Sequence, residues 1–465
     1  MVPPAFVADV VAIVGTRFVR DDDASRGAYG VDSLKQGHLA DLVVLPGSTS
    51  EVAALVERCH ASRIPLVVRG GGTGYSGGAV PIEGGVVVSL ERMNRILEID
   101  EANLLAVVEP HVITGDLQDA VERVGLFYPP DPASLRESVI GGNVAECAGG
   151  PRAFKYGTTR NYVLGLEAVL PTGEVIRTGS KAVKNVVGYD LTRLLVGSEG
   201  TLAVITQVVL RLIPRPPVQV TLRADFEGVD AAVEAVSGVL RARVVPATLE
   251  LVDGECLDAV SRYLGEALAP AGTGAVLLIE VDGFPEAVRA EAHAVEAACR
   301  AAGASSVSHA ATAAERDALW RIRRELSPAL KTISSVKLNN DVVVPRGRVP
   351  ELFELVEQLR RDLRLRIPCF GHAGDGNIHV NVMVDEGDAD GLARARQAIP
   401  LLFEGVVALE GSISGEHGIG FTKAPYLAIE LSADAIALMQ RVKQAFDPHG
   451  ILNPGKIFPP GHRAG

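Results

Sequence analysis

A series of glycine-rich loops, each set between short β-branched runs in the first half of the chain, limits the fold more than any other feature. RGGGTGYSGG (Arg69–Gly78) holds six glycines in ten positions and follows the predicted strand LVVRG. GGNVAECAGG (Gly141–Gly150), KYGTTRNYV and GSEGTLAVIT (Gly197–Thr206) repeat the pattern. Glycines in series let backbone amides converge on an anion with no Cβ in the way. A mobile surface loop would need no such recurrence. The first loop is not a GxGxxG opening a helix, because Pro81 and another strand follow, and it lacks the GK[ST] ending of a P-loop. Several such loops around one site suit a long ligand that needs close backbone approach, and FAD is such a ligand.

The 465 residues suggest two to four domains at roughly 150 residues each. With 47% hydrophobic and 22% charged residues the chain reads as soluble and globular. A net charge of −12 argues against nucleic acid or anionic lipid as a partner. No apolar run approaches the ~20 residues that span a bilayer. The apolar first fifteen residues are interrupted by Asp9 and carry no flanking signal-peptide features, so neither secretion nor a membrane span is expected. Five scattered cysteines without a CxxC pair favour a reducing cytoplasm and argue against an iron–sulfur cluster or cysteine-ligated zinc.

DLVVLP, then Ser48 and Glu51 as a capping box before the helix EVAALVERCHASR, then the strand LVVRG form a βαβ-like opening. The strands GVVVSL, ILEID, LLAVVEP, LEAVLPTG and LAVITQVVLRLIP follow with little helix between them, which makes this half α+β. Beyond Pro214, Pro216 and Pro217 the strands ATLELVD, AVLLIEVDG, NNDVVVP and NIHVNVMVD alternate with amphipathic helices, marking a second domain. The expected spans are 1–217, 218–426 and a C-terminal helical segment, 427–465.

In FGHAGDGNIHVNV the period of two puts His379 and Asn381 on one strand face, and the glycine turn can fold His372 back toward them. GSISGEHGIG adds Glu416 and His417. Two imidazoles and a carboxylate suit a divalent ion such as zinc, manganese, iron or cobalt, against the alternative of satisfied core histidines. The helical segment LWRIRRELSPAL offers arginines. A single Arg there would ordinarily lie on a solvated face, yet an anionic substrate at a metal needs a fork-shaped cation.

PLVVRGGGTGYSGG, YPPDPAS, GGNVAECAGG, GSEGTL, GHAGDGNIH, SGEHGIG and ILNPGK, in that order, resemble the FAD-linked oxidases of the vanillyl-alcohol oxidase and p-cresol methylhydroxylase superfamily. More closely, the chain is similar to the D-2-hydroxyacid dehydrogenase branch, which includes the glycolate oxidase flavin subunit, D-lactate dehydrogenases and D-2-hydroxyglutarate dehydrogenase. The resemblance implies an α+β fold: an FAD-binding domain of two subdomains, an α+β cap domain with the substrate and metal sites, and a C-terminal helical segment returning to the FAD domain. It places the cofactor against Arg69, Gly70, Gly71, Gly72, Thr73, Gly74 and Ser76. Pro130, Asp131, Ser134, Gly142, Asn143, Gly149, Gly150, Tyr156, Gly157, Glu199, Ile205 and Asn453 line the rest. The implied metal ligands are His372, His379 and Glu416; the substrate amide is Asn381, the base His417, the carboxylate-binding residue Arg323 and the hydroxyl contact Ser327. Relatives that tether FAD through this loop use a histidine where this chain has Thr73, so non-covalent FAD is expected. D-2-hydroxyglutarate dehydrogenases carry a Lys two residues before the Asp that is here Asp341; this chain has Asn339 there, with Lys337 out of register.

The implied reaction is oxidation of a D-2-hydroxy acid to the 2-oxo acid, with hydride passing to the flavin. The implied electron acceptor is a quinone, an electron-transferring flavoprotein or an iron–sulfur subunit, since no nicotinamide fingerprint is present. A homodimer or hetero-oligomer is expected, in the cytoplasm or peripheral to the inner face of the membrane. The rival readings are a metallohydrolase, which leaves the glycine loops unexplained, and a non-catalytic flavin subunit of a larger complex.

Overall fold

Val86, Val87 and Val88 are all buried, and a strand with no wet face has to lie inside a sheet covered on both sides. In the computed structural model, which describes residues 2–459, the strand Val86–Ser89 pairs in parallel with Leu42–Val44 and with Leu66–Arg69. The helix Thr49–Ser62 connects those two outer strands, so the βαβ opening has a third strand inserted at its centre. Ser48 caps the helix by accepting the Glu51 amide. Glu51 turns its carboxylate to the Gly47 amide instead of that of Ser48, so the expected capping box closes through one arm only.

A five-stranded antiparallel sheet follows, in the order Ile96–Asp100, Leu105–Val108, Val204–Arg211, Val163–Val169 and Val175–Gly179. Both sheets belong to one compact unit, made of the chain up to Gly149, Thr158–Arg215 and the chain from Glu416 onward. Phe6, Val10, Leu55 and Val56 share a core with Ile451 and Leu452 from the far end of the sequence. The Leu66 amide donates to Ile451 O and the Asn453 amide to Leu66 O, so this tail runs beside the strand Leu66–Arg69.

The second unit, Gly150–Gly157 with Pro216–Gly415, is built on one seven-stranded antiparallel sheet. Its order is Ser306–His309, Val218–Phe226, Ala275–Gly283, Thr248–Asp253, Cys369–His372, Asn377–Val384 and Val336–Val343. The helices Gly254–Leu264, Ala313–Arg324 and Leu326–Leu330 pack against Val252, Val276, Leu278, Phe370 and Met383. LWRIRRELSPAL is thus two helices broken at Glu325, not one.

These units divide the chain at 215/216 and 415/416, where the sequence suggested 217/218 and 426/427. The residues after Glu416 join the first unit because Glu199 accepts the Ile419 and Gly420 amides. Gly150–Gly157 joins the second because Lys155 and Tyr156 both donate to the carboxylate of Asp282. Among the described residues no helix is long and apolar enough to cross a membrane.

Candidate functional site

Residues paired across antiparallel strands point the same way, so the register of the seven-stranded sheet fixes what shares a face. Glu250 lies opposite His372, His372 opposite Asn377, His379 opposite Asp341 and Asn381 opposite Asn339. All these side chains stand on the face that also carries Val252, Leu278, Phe370 and Met383. Where helices cover that face it is apolar core. Beyond their edge it turns into a row of acids, imidazoles and amides.

The hairpin brings the His372 and His379 rings to 5.4 Å, edge to face, with Phe370 5.0 Å from His379. His372 Nδ1 lies 2.5 Å from Glu250 Oε1, and Arg323 Nε donates to Glu250 Oε2 at 2.5 Å. Burial alone would raise the acid of Glu250. The His372 imidazole and the Arg323 guanidinium outweigh that effect and hold it down to about 2. The guanidinium of Arg323 also sits over the Phe370 ring. Asp341, wholly buried, accepts from Asn377 Nδ2 and from the Gly415 amide, and its Oδ1 lies 3.7 Å from His379 Nδ1. Gly415 is the residue before Glu416.

The amide of Asn381 is engaged within the sheet: it donates to the His379 and Pro368 carbonyls and accepts from Asn339 Nδ2. Ser327 Oγ accepts from Lys337 Nζ at 2.8 Å. Lys337, Asn339 and Asp341 alternate along one strand and so share its face. Burial, with Lys331 and Arg323 nearby, pushes the Lys337 ammonium down to about 8.

In the first unit the loop Arg69–Gly78 leaves the end of a parallel strand and packs under residues 137–139. A Cβ on Gly71 would come within 2.5 Å of Glu137 O, so a glycine is required there by the protein itself. At Gly74 a Cβ would meet only Asp32 Oδ2, at 3.9 Å, an ordinary contact, so no described protein atom demands a glycine there. Ser76 is buried, and among the described residues its Oγ has no hydrogen-bond partner. A glycine that the protein itself does not require, beside an unmatched buried hydroxyl, fits a bound diphosphate. Downstream, Phe421 N donates to Ser76 O, and the Tyr75 and His417 rings stack at 5.4 Å. The loop of His417 is therefore docked on the glycine loop and held from the other side by Glu199.

Some residues ascribed to the cofactor have their polar side-chain atoms bonded to protein. Glu199 holds the two amides of the 418–420 loop, Asn453 donates to Gly78 O and Glu199 O, Asn143 donates to Thr114, and Arg69 donates to Val31 O. Gly150, Tyr156 and Gly157 fall in the second unit, with the Tyr156 hydroxyl on Asp282. Gly70, Gly72, Thr73, Pro130, Asp131, Ser134, Gly142, Gly149 and Ile205 lie in the first. Glu250 belongs to none of the sequence motifs, and Asp341 enters the sequence only as the mark of register beside Asn339. The signal available was an acid inside each of the apolar runs TLELVD and NNDVVV.

Residues 40–179 match the family described as FAD binding domain, and residues 215–457 match FAD linked oxidases, C-terminal domain. The glycolate oxidase subunit GlcD of Bacillus subtilis is 44% identical over 450 residues, covering 97% of this chain and 96% of that protein. The D-lactate dehydrogenase of Archaeoglobus fulgidus is 39% identical over 416 residues, covering 90% of this chain and 91% of its own. Among solved structures, p-cresol methylhydroxylase with substrate bound aligns with a TM-score of 0.82 at 18% identity, covering 99% of this chain and 97% of that one. At that identity the likeness speaks for the fold.

Proposed function

Since the chain belongs to the FAD-linked oxidases and is an oxidoreductase of that family, we propose that it oxidises a D-2-hydroxy acid to the 2-oxo acid. The observation that carries this reading is the near end-to-end match to a glycolate oxidase subunit and a D-lactate dehydrogenase. FAD, when bound, supplies the hydride acceptor, and a divalent ion supplies a Lewis acid for the substrate's hydroxyl and carboxylate. The glycine loop around Gly74 and Ser76 is the reading's diphosphate site. His372, His379 and Glu416 are its metal ligands, and the donor chemistry fits: the His372 ring is anchored through Nδ1 by the Glu250 carboxylate, the support that ligating imidazoles characteristically have.

Arg323 has the role of gripping the substrate carboxylate, and His417 that of taking the hydroxyl proton as the α-hydride leaves. An imidazole has the lone pair that such a proton transfer needs. Ser327 takes a supporting role at the substrate, while Asn381, its amide donating to the His379 and Pro368 carbonyls, supports the site through the strand it holds; electrons leave to a quinone, an electron-transferring flavoprotein or an iron–sulfur subunit.

The test is anaerobic mixing of the yellow protein with glycolate and with the D and L forms of lactate and 2-hydroxyglutarate. Bleaching by glycolate or by D acids, lost after chelation and restored by metal, is expected. No bleaching by any of them would sink the reading. A colourless preparation with metal-dependent hydrolytic activity would favour the hydrolase alternative, and full activity after verified metal removal would remove the metal from the mechanism.

A further inference from the structure

Glu250 joins two side chains to which the proposed function gives different tasks, and the inference that follows rests on that reading. Its carboxylate is fully buried, and its two oxygens are divided between His372 Nδ1 and Arg323 Nε. The division comes from the sheet: Glu250 sits directly across from His372, while Arg323 reaches it from the last turn of the helix Ala313–Arg324.

Each bond removes a choice. An imidazole that donates from Nδ1 must keep its lone pair on Nε2, the nitrogen a metal would take. A guanidinium whose Nε donates to Glu250 offers its Nη1–Nη2 edge for a bidentate carboxylate, not its Nε side. We propose that Glu250 is a positioning residue that fixes both the tautomer of His372 and the edge of Arg323 offered to substrate.

Glutamine has the shape of glutamate but only one accepting oxygen. In Glu250→Gln the amide NH₂ must face either His372 or Arg323. Facing His372, it forces the proton to Nε2 and blocks metal binding; facing Arg323, it sets an N–H against the Nε–H donor. The charged carboxylate has neither conflict.

The experiment uses the FAD-loaded full chain, stripped of metal, titrated with Zn²⁺ and separately with Mn²⁺, with the His372 tautomer followed by ¹⁵N NMR. Glu250→Gln should bind metal about 10–100-fold more weakly, lose the Nδ1–H signature and raise KM more than it lowers kcat. Glu250→Asp, which keeps the charge, should recover much of the affinity. If Glu250→Gln does not fold, the double variant Glu250→Leu/Arg323→Met removes the unpaired buried cation together with the acceptor for His372 Nδ1–H, and should show the same metal defect. Wild-type affinity and tautomer in the glutamine variant, with metal lost in His372→Ala, would overturn the role of Glu250 and leave the ligand reading standing. Metal retained by His372→Ala would overturn the ligand reading, and the inference with it.

Discussion

Lys337 is the clearest case of a single side chain under electrostatic load. Its ammonium is largely buried and donates to the neutral hydroxyl of Ser327. Burial lowers its titration from the ordinary 10.5 to about 8. The folded state therefore holds this proton less tightly than the unfolded chain. The cost is fully present below about pH 8 and fades as pH rises toward 10.5, so stability attributable to this group increases across that window. Lys337→Met should stabilise the protein at pH 7 by on the order of 1–3 kcal/mol and reduce the rise between pH 8 and 10.5. Some rise should remain, because Lys456 is lowered to about 8 as well. Chemical unfolding at pH 7 and pH 10 measures both effects, and a variant less stable than wild type at pH 7 would show that the ammonium is favourably held. The sequence showed that His379 and Asn381 share a face, since that needs only the alternation within one strand. It did not show that the Asn381 amide is engaged by Asn339, nor that Glu250 bridges Arg323 and His372. Those facts depend on which strands become neighbours, and Glu250 and His372 are 122 residues apart.

Among elements, the hairpin Cys369–His372 to Asn377–Val384 carries the most chemistry and rests on Gly376. Its φ is +85°, and a Cβ there would stand 2.0 Å from Val344 O, a backbone atom that cannot swing aside. Gly376→Ala should cost at least ~1–2 kcal/mol for the left-handed backbone alone, with more for the displacement of Val344. The expected result is a clear drop in the melting temperature together with altered His372 and His379 ring signals. Unchanged ring signals would mean that the turn does not set the two imidazoles. The glycine turn itself was legible from FGHAGDGNIH, because glycine is the residue that such a backbone selects. The break at Glu325 has its signal in Pro328, which has no N–H for the Arg324 carbonyl and crowds it, so the first helix ends there. The segment Gly150–Gly157 was opaque, since its place is set by Asp282, 126 residues beyond Tyr156.

On the scale of the whole molecule, the second unit contains all seven strands of its sheet between Val218 and Val384. A fragment of residues 216–415 should therefore fold alone and unfold cooperatively, followed by circular dichroism. A chain ending at Gly415 should keep that transition and fail to retain FAD. A yellow, flavin-retaining truncation would contradict this. The reason lies in the tail: Ile451 and Leu452 fill the first unit's core, and Asn453 bonds to Gly78 and Glu199. That arrangement also bears on how the protein is made in a cell. Translation is vectorial, so the strand Leu66–Arg69 leaves the ribosome long before its neighbour at Ile451–Asn453 exists. At ~5–20 residues per second the wait is on the order of tens of seconds, during which the inserted unit can finish folding while the flavin unit stands open. Loading of the cofactor is therefore expected to follow translation, and the nascent N-terminal half is the stretch that a chaperone would have to shield.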